Sequence, residues 1–296
     1  MSESQLFQPE ALKRVHRLEL RAKYLVEGLL SGKHKSPFFG QSLEFLQHRQ
    51  YTPGDDLRRI DWKVWGKQDR FYVKQFEDET NLRATLLVDA SASMRYNSTS
   101  EGMSKYEYAA TLAVSLAYLL LKQKDAVGLV RFDDEIRQTV PQQTSRNHLL
   151  TLIQTLEKEP QAKKTEISEI LRKTAEMFPR RGLILLFSDL FVPRTELWQG
   201  LKALRSRGHD VLVFHILDPE ELDFTFQGPT RFEGLEMPDI LRCNPRALRE
   251  GYLAEMQTYL EEIRRGCAEG EMDYALVRTT DSLDKTLSRM LLKRLK

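Results

Sequence analysis

From residue 83 onward the chain alternates short apolar runs with longer amphipathic stretches, and no other feature narrows its fold as much. The runs are ATLLV (84–88), AVGLVRF (126–132), LILLFS (183–188), DVLVFHIL (210–217) and MDYALV (272–277). Apolar residues at consecutive positions mean that both faces of each strand need cover. Helical spacing fills the intervals near 105–124, 145–158, 166–178, 195–207, 246–266 and 282–295. Strands covered on both faces and separated by helices predict an α/β fold with a doubly wound, mostly parallel sheet. EIRQTV (135–140) follows AVGLVRF after the polar Asp133-Asp134-Glu135 turn, so it is expected to pair back as an antiparallel edge. Residues 219–245, rich in Pro, Gly and acid, read as an insertion into this pattern.

The first 81 residues behave differently. Leu12, Val15, Leu18, Ala22, Leu25 and Leu29 recur at the spacing of one helix face, which predicts an amphipathic helix over 9–30. Beyond it Gly32, Pro37, Gly40, Pro53 and Gly66 punctuate an irregular stretch in which only FYVKQF (71–76) alternates like a strand. The expected organisation is therefore an irregular N-terminal helix/strand segment over 1–81 and a sheet domain over 82–296.

Charge and composition exclude several functions. With 45 basic and 43 acidic residues the net charge is +2, too small for binding nucleic acid or an anionic membrane by bulk electrostatics. Lys33, His34, Lys35, Arg49, Arg58, Arg59, Lys63, Lys67 and Arg70 keep a nucleic-acid reading open, but Asp55, Asp56, Asp61 and Asp69 interrupt them. The greasiest segment, AATLAVSLAYLLL (109–121), is 13 residues long and falls short of the roughly 20 that span a membrane. It reads as a core helix, and no integral membrane segment is expected. The N-terminus lacks the apolar core of a signal peptide, and Cys243 and Cys267 form no Cys-x-x-Cys pair. These features point to the cytoplasm.

In open α/β sheets ligands gather at the carboxyl ends of the strands. The first strand of the sheet domain ends in Asp89-Ala90-Ser91-Ala92-Ser93, which sets one carboxylate and two hydroxyls at alternate positions before a helix. LILLFS ends in Asp189, and between them Thr165 stands immediately before a helical pattern. All five are oxygen donors, the set that Mg2+ or Mn2+ takes, and few of them are charged, so a bound ion would keep its electrophilic character. Each group alone also suits a cap or a turn. Three clusters in this chain order, two of them at strand ends, favour the metal.

Those residues resemble a family. The order Asp89-x-Ser91-x-Ser93, Thr165, Asp189 is similar to the metal-ion-dependent adhesion site of von Willebrand factor A domains, and the likeness covers roughly residues 82–217. A second resemblance lies in residues 36–80, where Tyr51, Pro53, Gly54, Asp55, Asp56, Arg58, Ile60, Asp61 and Trp62 look like the signature of the bacterial family catalogued as domain of unknown function 58. The first resemblance implies magnesium at Asp89, Ser91, Ser93 and Thr165, with Asp189 acting directly or through water. The second implies a partner: such proteins are typically encoded beside MoxR-type AAA+ ATPases and are thought to serve them as adaptors, here with an acidic side chain of the partner completing the metal shell. For Tyr51, Asp55, Asp56, Arg58, Arg59, Asp61 and Trp62 two readings stay open, an ion-pair network docking the N-terminal segment and a partner-binding face.

Enzymatic readings find less support. Phosphoryl transfer at a strand-end aspartate wants a second carboxylate two residues on, where this chain has Ser91. Serine hydrolysis wants Gly-x-Ser-x-Gly, and Ser91 and Ser93 are flanked by alanines on the sides that matter. SGKHKSPFFG (31–40) lacks the frame of a phosphate-binding loop. No pair among the six histidines has metal-ligand spacing, and His215 reads as a core or edge residue.

Overall fold

The computed structural model describes residues 17–31, 47–50, 71–75, 82–99, 101–158, 167–236 and 239–293. The chain divides into two units, residues 1–33 with 82–296, and residues 34–81.

In the larger unit the elements follow the sequence pattern closely. Helix α1 (Leu18–Ser31) precedes the sheet strand β3 (Arg83–Asp89), and a 3-10 turn (Ser93–Arg95) leads to α2 (Lys105–Lys122). Then come β4 (Ala126–Phe132), β5 (Ile136–Gln143), α3 (His148–Leu156), α4 (Ile167–Met177), β6 (Leu183–Ser188), α5 (Arg194–Ser206) and β7 (Asp210–Leu217). The insertion holds a short helix α6 (Pro219–Asp223) and strands β8 (Thr230–Glu233) and β9 (Ile240–Cys243). Helix α7 (Pro245–Glu269), β10 (Asp273–Arg278) and α8 (Leu283–Lys293) complete it. In the smaller unit β1 (Gln47–Gln50) pairs antiparallel with β2 (Tyr72–Gln75), the strand expected from FYVKQF.

Six strands form the central sheet in the order β10-β7-β6-β3-β4-β5. All neighbours are parallel except β4 and β5, which is the antiparallel edge read from EIRQTV. The order reverses at β3 and β6, so successive connections pass to opposite faces. One face carries α1, α2, α3 and α8, whose Leu25, Leu112, Leu152 and Leu287 share a core with Leu86 and Val88. The other carries α4, α5 and α7, whose Leu171, Leu201 and Ile263 pack on Leu87, Leu186 and Val213. Alternate residues of one strand thus enter opposite cores, and this two-sided burial is why the strands read as unbroken apolar runs. Helices α4 and α5 approach so closely that a Cβ on Gly200 would stand 2.9 Å from the Leu171 side chain and 3.2 Å from the Ser168 Cα.

The expected boundary at residue 81 differs from the observed division. Leu18, Ala22 and Leu25 are buried in the core that α2 builds, so α1 belongs to the sheet domain, leaving 34–81 as the separate unit. An amphipathic face of that width is stable only when covered, and α2 covers it. Among the described residues no helix is long and apolar enough to cross a membrane. Both cysteines are free: Cys267 is buried and Cys243 half-buried.

Candidate metal centre

Strands β3 and β6 lie side by side in register, Val88 opposite Phe187, so Asp89 and the Ser188-Asp189 pair emerge together where the strand order reverses. That crevice is where doubly wound folds place ligands. Asp89, Ser91, Ser188 and Asp189 are all buried there.

Hydrogen bonds fix Asp89 from two directions. The Ser91 backbone N–H donates to its Oδ1 at 2.9 Å, and the Ser188 hydroxyl donates to its Oδ2 at 2.6 Å. The Ser188 Oγ also accepts from the Leu190 N–H at 3.0 Å, tying the two strand ends together. Ser91 Oγ and Ser93 Oγ stand 3.1 Å apart, and Ser93 reaches Asp189. Capping does not account for these serines, since the 3-10 turn that starts at Ser93 has no side-chain cap. Asp189 likewise leaves the start of α5, at Pro193, uncapped.

Asp189 is instead held by a lysine. Lys105, wholly buried at the first turn of α2, donates from Nζ to Asp189 Oδ2 at 2.8 Å and to Glu221 Oε1 of α6 at 2.6 Å. Behind Asp189, the ring of His215 on β7 lies between two partners. Its Nε2 is 2.8 Å from the Asp189 carbonyl and its Nδ1 2.9 Å from the Tyr274 hydroxyl. A carbonyl can only accept, so Nε2 carries the proton and Nδ1 accepts from the tyrosine. Burial pushes the imidazole down to about 4, which keeps it neutral in this role.

The electrostatics are those of a site short of positive charge. Burial and the neighbouring Asp189 push the Asp89 carboxyl up to about 7, against the pull of its hydrogen bonds. Burial would raise Asp189 too, but the Lys105 ammonium beside it brings it below the usual carboxylate range. Burial raises Glu221 despite the same lysine. Two buried carboxylates, Asp89 and Asp189, and the half-buried Glu221 thus stand in one cluster with a single ammonium, which bonds Asp189 and Glu221.

Does this arrangement suit the divalent ion that the sequence implies? Two ligands at right angles around Mg2+, each about 2.1 Å away, are roughly 3 Å apart. The Ser91 and Ser93 hydroxyls, hydrogen-bonded to each other at 3.1 Å, already stand at about that spacing. Among the described residues no three His, Cys, Asp or Glu side chains converge as a metal-ligand group. The donor set is hydroxyl-rich instead, with Asp89 and Asp189 as its acids. Four of the five expected ligands, Asp89, Ser91, Ser93 and Asp189, are therefore brought together. Thr165 lies outside the described residues, as do Tyr51, Asp55, Asp56, Arg58, Arg59, Asp61 and Trp62.

Comparison with known proteins gives the family. A family model described as "Protein of unknown function DUF58" matches residues 47–261. The chain belongs to this family. Relatives described as uncharacterized proteins occur in mycobacteria: Rv1480 of Mycobacterium tuberculosis and Mb1516 of Mycobacterium bovis are each 27% identical over 266 residues, covering 88% of this chain and 83% of theirs. Among solved structures, the conserved hypothetical protein BatB from Bacteroides thetaiotaomicron aligns with 72% of this chain and 98% of its own, at 19% identity and a TM-score of 0.48. The SpRpn10 VWA domain aligns with 70% and 94%, at 10% identity and a TM-score of 0.41. The sheet order and its antiparallel edge give the larger unit of this DUF58 protein the doubly wound, mostly parallel α/β fold expected for a von Willebrand factor A-like domain.

Proposed function

We propose that this protein is a non-enzymatic, magnesium-dependent protein-interaction module, working in the cytoplasm as an adaptor for a MoxR-type AAA+ ATPase in the assembly or activation of other proteins. The observation that carries the metal part is the cluster of Asp89, Ser91, Ser93 and Asp189 at the switch point, with its two hydroxyls 3.1 Å apart and its two buried carboxylates. Asp89, Ser91 and Ser93 would hold Mg2+, or Mn2+ in its place, with Thr165 and Asp189 completing the set. When bound, the ion supplies a localised positive charge that a partner carboxylate can satisfy. The protein's own residues do the rest: Ser188 and the Ser91 amide orient Asp89, His215 fixes the backbone of Asp189, and Lys105 holds its side chain.

Catalysis draws no support from this geometry. Among the described residues the one imidazole beside the cluster, that of His215, spends both nitrogens on Asp189 and Tyr274, so it cannot activate a serine as a base. The MoxR-type partner rests on the resemblance of residues 36–80. A pull-down of the ATPase by the full chain, with magnesium or with chelator and with wild type or Asp89→Ala, tests the proposal. Capture by wild type in magnesium alone is expected. Equal capture in all four conditions would remove the metal from the interaction.

A further inference from the structure

Lys105 occupies an unusual place. It is the first residue of α2, directly after the Ser104 cap, whose hydroxyl accepts from the Glu107 N–H while the Glu107 carboxylate accepts from the Ser104 N–H. The positive end of a helix disfavours a cation there. Its side chain has no exposure at all, and the ammonium lies 5.0 Å from the centre of the Phe191 ring. A lysine placed against the helix dipole and out of water has to be retained by its partners, and both of those are acids at the candidate metal centre. One is Asp189 of that centre. The other, Glu221, is delivered by α6 at the start of the insertion, where its second oxygen accepts from the Asp218 N–H at 2.8 Å. Asp218 in turn accepts from the Ser98 N–H, in the loop that also carries Ser91 and Ser93, at 3.1 Å.

We propose that Lys105 is an internal counter-cation of the metal centre: it offsets one of the three negative charges of Asp89, Asp189 and Glu221, and thereby limits how tightly a divalent ion binds. The inference rests on the metal reading above and adds to it a positioning residue that sets affinity. Glu221 acts through the lysine. By taking part of the ammonium's charge it restores affinity, and so it gives the insertion a hold on the metal centre. A purely structural ion triad makes a different prediction, because losing either member would then loosen the site and weaken the metal.

The experiment is calorimetric titration of Mn2+ into the full chain at pH 7.5, comparing wild type, Lys105→Met, Glu221→Gln and the double variant. Removing one positive charge several ångströms from the ion should tighten binding about tenfold or more in Lys105→Met. Glu221→Gln, whose amide keeps a hydrogen bond to the lysine, should weaken it by about the same factor. The double variant restores the charge balance and should return to within about threefold of wild type. Single-variant shifts of the same sign, or a Lys105→Met chain that binds no more tightly than wild type, would overturn the proposal while leaving the metal centre standing. Should Lys105→Met fail to fold, the same step is read from Glu221→Gln to the double variant, where it must again tighten binding. Binding by Lys105→Met alone would support the proposal in its strongest form. No binding by any of the four would overturn both the proposal and the metal reading.

Discussion

Asp89→Asn separates the metal account from a purely structural one, because the two differ in the sign of the effect on stability. The wild-type carboxylate is buried beside Asp189, which raises it from an ordinary value near 3.8 to about 7. A carboxyl harder to ionise in the folded state than in the unfolded one penalises folding as pH rises. The penalty begins near pH 4, accrues up to pH 7 and is complete above it. At roughly 1.4 kcal/mol for each tenfold change in the ionisation constant, the full penalty is about 4 kcal/mol. Asparagine keeps an acceptor for the Ser91 N–H and turns an amide N–H toward the Ser188 hydroxyl, which can accept. The substitution therefore removes the charge and leaves few groups unpaired. In chelator at pH 8 the variant should be more stable than wild type by about 2 to 4 kcal/mol, with the advantage shrinking toward zero near pH 4. The assay is urea unfolding followed by far-ultraviolet circular dichroism across that pH range. Saturating magnesium should reverse the order, since only wild type gains binding energy. A variant less stable than wild type in chelator at pH 8, or a difference independent of pH, would refute the reasoning.

His215 should act on stability with the opposite slope. Its imidazole is pushed from 6.5 down to about 4, so the unfolded chain takes up a proton that the folded one refuses, and stability is lost as pH falls from 6.5 through 4. Set against His215→Gln, so that the contribution of Asp89 cancels, wild type should lose about 3 kcal/mol over that window in the same unfolding assay; parallel curves would count against a neutral, buried ring. Gly200→Ala should cost about 1 to 3 kcal/mol by pressing a methyl group onto Leu171 and Ser168, seen as a lower thermal midpoint with no change in metal affinity. An unchanged midpoint would show that α4 and α5 can separate freely.

Much of this architecture was legible in the sequence because two-sided burial writes itself as unbroken apolar runs. LILLFS became β6 at the same bounds, 183–188, and AVGLVRF became β4 at 126–132. Strands that owe little to burial left no such trace. QHRQ in β1 and the pair TRFE and ILRC in β8 and β9 are short and carry polar residues, so nothing in their pattern separates them from loop. The site was readable where its chemistry is local: Asp89-x-Ser91-x-Ser93 lies within five residues. Ser188 hid inside a strand that its neighbours explained. The ion triad was out of reach because Lys105 and Glu221 are 116 positions apart, although two local signs exist. A lysine stands just behind a serine cap, against the helix dipole, and Asp218-Pro219-Glu220-Glu221 is a capping-box sequence that predicts α6. His215 was read as a core or edge residue, and it is buried; the hydrogen bond to Asp189 could only come from the register of β6 and β7, Ser188 opposite His215. The placement of α1 with the sheet domain was hidden for a similar reason, since an amphipathic face announces that it will be covered without naming what covers it.

The central claim, that the oxygen cluster between β3 and β6 takes a divalent ion, is tested most directly by crystals of the full chain grown with Mn2+ and measured for anomalous scattering. The account predicts one strong peak within coordination distance of the Ser91 and Ser93 hydroxyls and the Asp89 carboxylate, absent from Asp89→Ala. A peak elsewhere, or none at the cluster with the ion in excess, would contradict it.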